Sequence, residues 1–368
     1  MKRRLALLVA VLLLLGAGWA ARDLYRPYRG YSGNLLLDIP AGSDAVIVTE
    51  MLVLRGVLAH RLPFFLRYAV SRSHRRFKAG EYYFDRPLPP IDVYRKLIQG
   101  DVYLYPVVIP EGSDRYDIGH ILNERLGLDP AAFLRVTENT SLIRDLDPQA
   151  PSLEGYLFPD TYRFAKGVTP ASVVATMLAR FRHVIATKFP GEFPPGSTKL
   201  HETVTLASLV EKETPDAAER PLVAGVFTRR LEKGMLLQCD PTVVYAMRLD
   251  RQPVSALTSS DLKIDSPYNT YLHAGLPPGP IANPGLASLQ AAVHPSDEQT
   301  LYFVSNNHGG HIFAKTLAEH QRNVSRYRRE VAALRHQASE KAQKTPSPRP
   351  RRERHAATSA KKSAGHTQ

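Results

Sequence analysis

The spacing of apolar positions changes several times along the chain, and each change predicts an element. Residues 5–21 are uncharged and mostly aliphatic, behind Lys2, Arg3 and Arg4. That length is the lower limit for a helix that crosses a bilayer. The basic flank predicts an amino end held in the cytoplasm while the remainder crosses. Gly18-Trp19-Ala20 is a poor signal-peptidase site, so a retained anchor is expected rather than a cleaved leader. Beyond it, runs of alternating or β-branched residues predict strands over 35–39, 77–84 and 102–109. A 3.6-residue period predicts helices over 45–61, 90–99 and 115–127. Ile39-Pro-Ala-Gly-Ser-Asp44 recurs as Ile109-Pro-Glu-Gly-Ser-Asp114, and each copy reads as a turn that caps the helix after it.

The carboxyl-terminal two thirds follow the same logic. Residues 153–164 combine four aromatic rings with Glu154 and Asp160, and 171–188 are an amphipathic helix. A Pro/Gly loop over 189–198 leads into a helix that ends at Glu213, because Pro215 stops it. Leu206, Leu209, Val210 and Glu213 share one line of that helix at i, i+3, i+4 and i+7. Glu211 lies roughly 200° around the axis from Glu213, so the two cannot face each other. A carboxyl on an apolar stripe near a helix end tends to stay protonated, which makes Glu213 the candidate acid. The stretch 266–285 is too dense in Pro, Gly and Asn for regular structure and reads as a rigid loop. A helix over 286–293, a buried strand over 300–304, a turn at Asn306-Asn-His-Gly-Gly310, a return strand at 311–313 and a last helix over 316–334 complete the chain.

Composition narrows the function. The 368 residues leave room for two domains, and 43% hydrophobic content is ordinary for a globular protein. The net charge of +13 is uneven: from Gln321 onward there are 13 Lys/Arg against 3 Asp/Glu, which leaves only +3 for the other 320 residues. A basic patch on the folded part is therefore not expected, which argues against nucleic acid as a partner. The Ser/Pro/Lys/Arg tail reads as disordered. Cys239 is the sole cysteine, so no intramolecular disulfide can form. His308 and His311 are close, but no cluster has zinc spacing, and neither a metal nor another cofactor is expected.

Several motifs, taken in order, resemble the endolytic murein transglycosylases, the YceG-like family. They are Leu153-Glu-Gly-Tyr-Leu-Phe-Pro-Asp-Thr-Tyr, Ala207-Ser-Leu-Val-Glu-Lys-Glu-Thr, Glu219-Arg-Pro-Leu-Val-Ala-Gly-Val-Phe and Gly234-Met-Leu-Leu-Gln-Cys-Asp-Pro-Thr, then Tyr268-Asn-Thr-Tyr, Gly275-Leu-Pro-Pro-Gly-Pro-Ile-Ala-Asn-Pro-Gly and Gly310-His-Ile-Phe. Cys239 stands where a small hydroxyl residue is usual, and Asn306-Asn307-His308 replaces a more acidic or Gly-rich turn. The early unit of short strands and helices also resembles a LysM-type glycan-binding module.

The resemblance implies an α+β fold with a single amino-terminal transmembrane helix (1–22 with its cytoplasmic stub). A LysM-like module (30–104), a mixed α+β catalytic domain (105–334) and a disordered basic tail (335–368) would follow. It implies a lyase that cuts the β-1,4 bond between MurNAc and GlcNAc within peptidoglycan strands, leaves 1,6-anhydro-MurNAc ends and terminates nascent strands. The enzyme would sit in the bacterial inner membrane with its catalytic part outside the cytoplasm, and peptidoglycan synthases are candidate partners. Glu213 maps to the essential glutamate. Glu154, Asp160, Glu211 and Asp240 would stabilise developing charge or bind hydroxyls; Tyr156, Gln238, Tyr268, Asn269 and Asn283 would contact the glycan. The alternatives are a non-catalytic, membrane-anchored glycan-binding scaffold and a hydrolase that admits water at the same acid.

Overall fold

A computed structural model describes residues 2–71, 76–194, 197–252 and 257–344, with side chains through 335. The chain divides at Leu301/Tyr302 into two compact units. The first begins with α1 (Lys2–Tyr25), a helix long and apolar enough to cross a membrane, with none of its residues buried. At 1.5 Å per residue it is about 36 Å long, somewhat more than the hydrocarbon core.

Next come β1 (Leu35–Ile39), α2 (Ala45–Leu54), α3 (Arg61–Val70), β2 (Gly80–Phe84) and α4 (Pro90–Gln99). β1 and β2 pair antiparallel with Leu37 opposite Tyr82, so the order from strand to strand is β-α-α-β. The helix expected over 45–61 ends at Leu54, and a second begins only at Arg61. Arg55 caps α2 and Gly56 follows at φ 71, a left-handed conformation that turns the chain toward α3. A side chain there would also strike the Gly30 backbone at 2.7 Å. Val48, Leu52, Phe64, Tyr82, Phe84 and Leu97 are buried to within 1% and form the core of this part.

β3 (Leu104–Val108) pairs not with β1 or β2 but with β4 (Thr161–Ala165), Val107 opposite Tyr162. Glu81 of β2 ties the two sheets together: its carboxylate takes the Tyr105 hydroxyl at 2.5 Å and the Lys166 ammonium at 3.0 Å. Between β3 and β4 lie α5 (Arg115–Leu126) and α6 (Pro130–Thr137); after β4 come α7 (Pro170–Lys188), α8 (Lys199–Glu213), α9 (Arg220–Glu232), α10 (Asp240–Leu249) and α11 (Leu286–Val293). α8 is the axis of this region, packed by α9, α10 and α11. Every residue from Thr203 to Val210 is buried, so the helix is covered on all sides. An amphipathic stripe would bury only about half of them.

In the second unit β5 (Tyr302–Ser305) and β6 (His311–Ala314) form a hairpin against α12 (Leu317–Lys344). β5 is only half-buried, unlike the buried strand expected there. α12 runs ten residues past the expected end at Leu334. Seven of its ten extra residues are Ala, Gln, Glu or Lys, good helix formers, with no proline before Pro346. The rest of the tail expected to be disordered lies outside the described residues.

Candidate active site

Glu213 is the last residue of α8, half-buried, with Thr214 as the cap and Pro215 just beyond. Leu206, Leu209 and Val210 of its stripe are buried at 7%, 0% and 0% exposure, so only the end of the line reaches the surface. Its Oε2 accepts a hydrogen bond from the Cys239 thiol at 3.4 Å. Burial, then the Glu213 charge, pushes that thiol well above its ordinary pKa, so Cys239 stays a protonated donor. It is not a competing nucleophile.

The loop that delivers Cys239 is held by hydroxyls. Thr270 accepts from Cys239 N with Oγ1 (3.0 Å) and from Gln238 N with its carbonyl (3.1 Å), and Thr242 Oγ1 lies 2.9 Å from Thr270 Oγ1. These bonds hold Gln238 at φ 51, a left-handed conformation rare outside glycine. Cys239 is consequently turned inward under Glu213, while Gln238 and Asp240 on either side are exposed. Asp240 Oδ1 accepts from Tyr271 at 2.5 Å; burial and then this bond raise the Tyr271 phenol.

Glu211 points the other way, as its helix phase predicts. It is tied at 2.9 Å to the Arg220 guanidinium through Oε1 and at 2.9 Å to Gly285 N through Oε2. Glu111 packs over Gly285 so closely that a Cβ there would lie 1.9 Å from its Oε1, and Arg220 reaches Glu111 at 3.5 Å.

The loop over 266–285 has no strand or helix and is pinned at intervals. His201 Nε2 donates to Pro278 O at 3.1 Å, and Ile281 N donates to Ser208 Oγ at 3.0 Å. His201 also meets Asp147 at 2.7 Å, and the fully buried Tyr156 donates to the same carboxylate. Burial alone would raise Asp147, yet the bonds from His201 and Tyr156 hold it below the usual carboxylate range, and Asp147 raises His201 in turn.

Asn283 makes the densest set of pins. Its Oδ1 accepts from Gly155 N and Leu157 N at 2.9 Å, and its Nδ2 donates to Ser113 O at 2.9 Å and Glu154 Oε1 at 2.8 Å. Glu154 also accepts from Arg115 N (3.1 Å) and Tyr245 (3.2 Å). Burial, then the Asp114 charge, pushes Glu154 up to about 8 despite those donors.

Around Glu213 the structure therefore gathers Gln238, Cys239, Asp240 and Tyr271. It does not bring the other expected contacts there in exposed form. Asn269 and Asn283 are fully buried and spend their amides on backbone and, for Asn283, also on the Glu154 carboxylate, so they do not line a groove. Tyr156 is fully buried in the core, and Glu154 is 1% exposed. Asp160 is engaged by Arg180 at 2.6 Å and by Thr161 N. Tyr268 packs against Tyr245 at a tilt of 57°, ring centroids 5.1 Å apart.

The profile of the YceG-like family matches residues 37–326. The chain belongs to that family. YceG-like relatives named endolytic murein transglycosylase include one from Bacillus subtilis (strain 168), 30% identical over 332 residues, which cover 86% of this chain and 91% of that protein. Another, from Streptococcus pneumoniae (strain D39), is 30% identical over 318 residues; the match covers 78% of this chain and 57% of that longer protein. A YceG-like protein from Listeria monocytogenes, with a crystal structure at 2.6 Å, superposes with a TM-score of 0.53 at 32% identity, covering 78% of this chain and 98% of that one.

Within this YceG-like chain, sequence reasoning passed over Tyr271, Thr270 and Thr242. Tyr271 closes the Tyr268-Asn-Thr-Tyr motif, and only the fold shows that this second tyrosine, not the first, faces Asp240. Arg220 was equally silent, since a guanidinium nine residues beyond Glu211 lies past a helix break.

Proposed function

We propose that the chain is a membrane-anchored lytic transglycosylase that cuts peptidoglycan strands internally, with Glu213 as its single acid and base. The observation that carries this reading is the division of labour at the end of α8. Glu211 is neutralised by Arg220 and Gly285 N, whereas Glu213 is half-buried beside a protonated thiol and an exposed loop. Most glycosidases need two carboxyls, one as acid and one as base or nucleophile. A transglycosylase needs one, because its nucleophile is tethered to the substrate.

Glu213 in its acid form gives a proton to the oxygen joining C1 of MurNAc to GlcNAc, and the C1–O bond breaks. The Glu213 carboxylate then takes the proton of the C6 hydroxyl on the same MurNAc. The C6 oxygen closes on C1 and forms the 1,6-anhydro ring; no water is consumed and Glu213 ends protonated, as it began. Asp240, held by Tyr271, would offset positive charge developing at C1. Gln238, exposed beside it, is available to sugar hydroxyls, and Tyr268 is half-buried on the same loop as Tyr271.

The β-α-α-β part, within 30–104, is the proposed LysM-like glycan-holding module, and 105–334 the catalytic domain. The anchor within 1–22 would place both outside the cytoplasm, near the synthases whose nascent strands the enzyme would terminate; the tail from 335 would be a basic appendage.

The test is mass spectrometry of muropeptides released from purified peptidoglycan by the full chain in detergent, beside its Glu213→Gln variant. Internal anhydro ends from the wild type, reduced at least about a hundredfold in the variant, are expected. Reducing ends would make the protein a hydrolase. Retained glycan binding without cleavage would make it a scaffold.

A further inference from the structure

A cavity of about 810 Å³ opens at the far end of α10 from Glu213. Cys239 and Asp240 begin that helix at the candidate acid, and Arg248 lies eight residues on, about 12 Å along the axis. The cavity is lined by Arg115 and Tyr116 of α5, Arg135 and Glu138 at the end of α6, and Arg248 and Arg251. Four guanidiniums thus face one carboxylate in a part of the chain whose overall charge is nearly balanced.

Their state is uneven. Arg248 is compensated by Asp114 and by Asp117 at 2.9 Å, and Arg135 lies 3.9 Å from Asp129. Arg115 is 8% exposed, and its Nε and Nη1 are buried with no hydrogen-bond partner among the described residues. Its guanidinium sits 5.3 Å from the Tyr116 ring centre, which Arg248 approaches from 6.0 Å. Glu154 meets Arg115 through the Arg115 backbone N, at 3.1 Å, rather than through the guanidinium. A buried cation with unused donors is costly unless an anion completes it.

We propose that this cavity is an anion subsite for the carboxylates of the peptide carried by the glycan substrate, an inference that rests on the peptidoglycan reading above. The volume suits a ligand of several residues rather than a lone inorganic ion. The 12 Å of α10 between Asp240, whose neighbour Cys239 meets Glu213, and Arg248 is spanned by about four extended residues at 3.3–3.6 Å each. A stem peptide on the MurNAc that cyclises therefore reaches the arginines, whose planar forks match carboxylates.

The experiment is calorimetric titration of the full chain in detergent, with four probes. They are the GlcNAc-MurNAc disaccharide peptide, which lacks the bond to be cut; the same disaccharide stripped of its peptide by an amidase; the free peptide; and inorganic phosphate. Arg115→Met and the exposed double variant Arg135→Ser/Arg251→Asn are titrated alongside, the second guarding against a folding defect in the first. The subsite predicts that both peptide-bearing probes bind, that each variant weakens them about tenfold or more, and that the stripped disaccharide is unaffected. Phosphate binding as tight as the peptide's, or peptide affinity equal in all three proteins, would overturn it. Arginine-dependent peptide binding in a protein that makes no cut would instead overturn the catalytic reading alone.

Discussion

The chain contains one short motif twice, and the two copies have different fates. Ile39–Asp44 and Ile109–Asp114 make the same turn almost bond for bond. Ser43 N and Ser113 N each donate to the proline carbonyl at 3.3 Å, and Asp44 and Asp114 each cap their helix through two backbone N–H groups at 2.8–2.9 Å. In the first copy the capping aspartate is exposed. In the second it is 5% exposed and pairs with Arg248, and the turn exchanges two backbone bonds with Asn283, Gly112 N to Asn283 O and Asn283 N to Ser113 O, both at 3.0 Å. Sequence writes the turn; partners more than a hundred residues away decide whether it becomes a wall of a site.

Three measurements sharpen that contrast. Asn283→Ala strikes only the second copy and orphans Gly155 N and Leu157 N in a dry interior. It should cost about 3–5 kcal/mol, read as a fall in the denaturant midpoint. Asp114→Ala should cost about 2–3 kcal/mol, since it removes a cap and leaves Arg248 undercompensated, whereas Asp44→Ala should cost only the cap, about 1 kcal/mol. Equal losses would mean that the tertiary ties of the second copy are energetically idle.

A further effect is on pH. Folded, Glu154 keeps its proton up to about 8, whereas the unfolded chain releases it near 4.5. Stability from this group is therefore complete below about 4.5 and is lost as pH rises toward 8. Denaturation between pH 5 and 8 should show that loss, and Glu154→Gln should flatten it even though the variant is less stable outright.

What could be read from sequence follows the range of the interactions. The caps at Asp44 and Asp114 depend on three residues, and the opposed directions of Glu211 and Glu213 depend on helix phase alone. Both stand in the structure as expected. The break at Gly56 was hidden because apolar spacing continues across it. Asn283 was expected in a groove because a loop rich in Pro, Gly and Asn looks exposed. Its bond to Ser113 spans 170 residues of sequence, beyond any local pattern. Tyr271 stayed hidden for the same reason, being chosen over Tyr268 only by where Asp240 lies.

The joint after α1 has a mechanical consequence. Only two residues separate Tyr25, where the helix ends, from Tyr28, which pairs with Leu88 through two backbone bonds; Gly30 N is bonded to Gly56 O two residues later. Asp23 and Trp19 of α1 both meet His60, at 2.9 Å and at a ring separation of 5.3 Å. With α1 in a bilayer, this is a post rather than a leash. A chain on a long flexible linker would sample a broad hemisphere of wall; under the proposed function, this one would work at a set height and reach new strands by lateral diffusion, so membrane curvature and wall spacing would decide which glycans it meets.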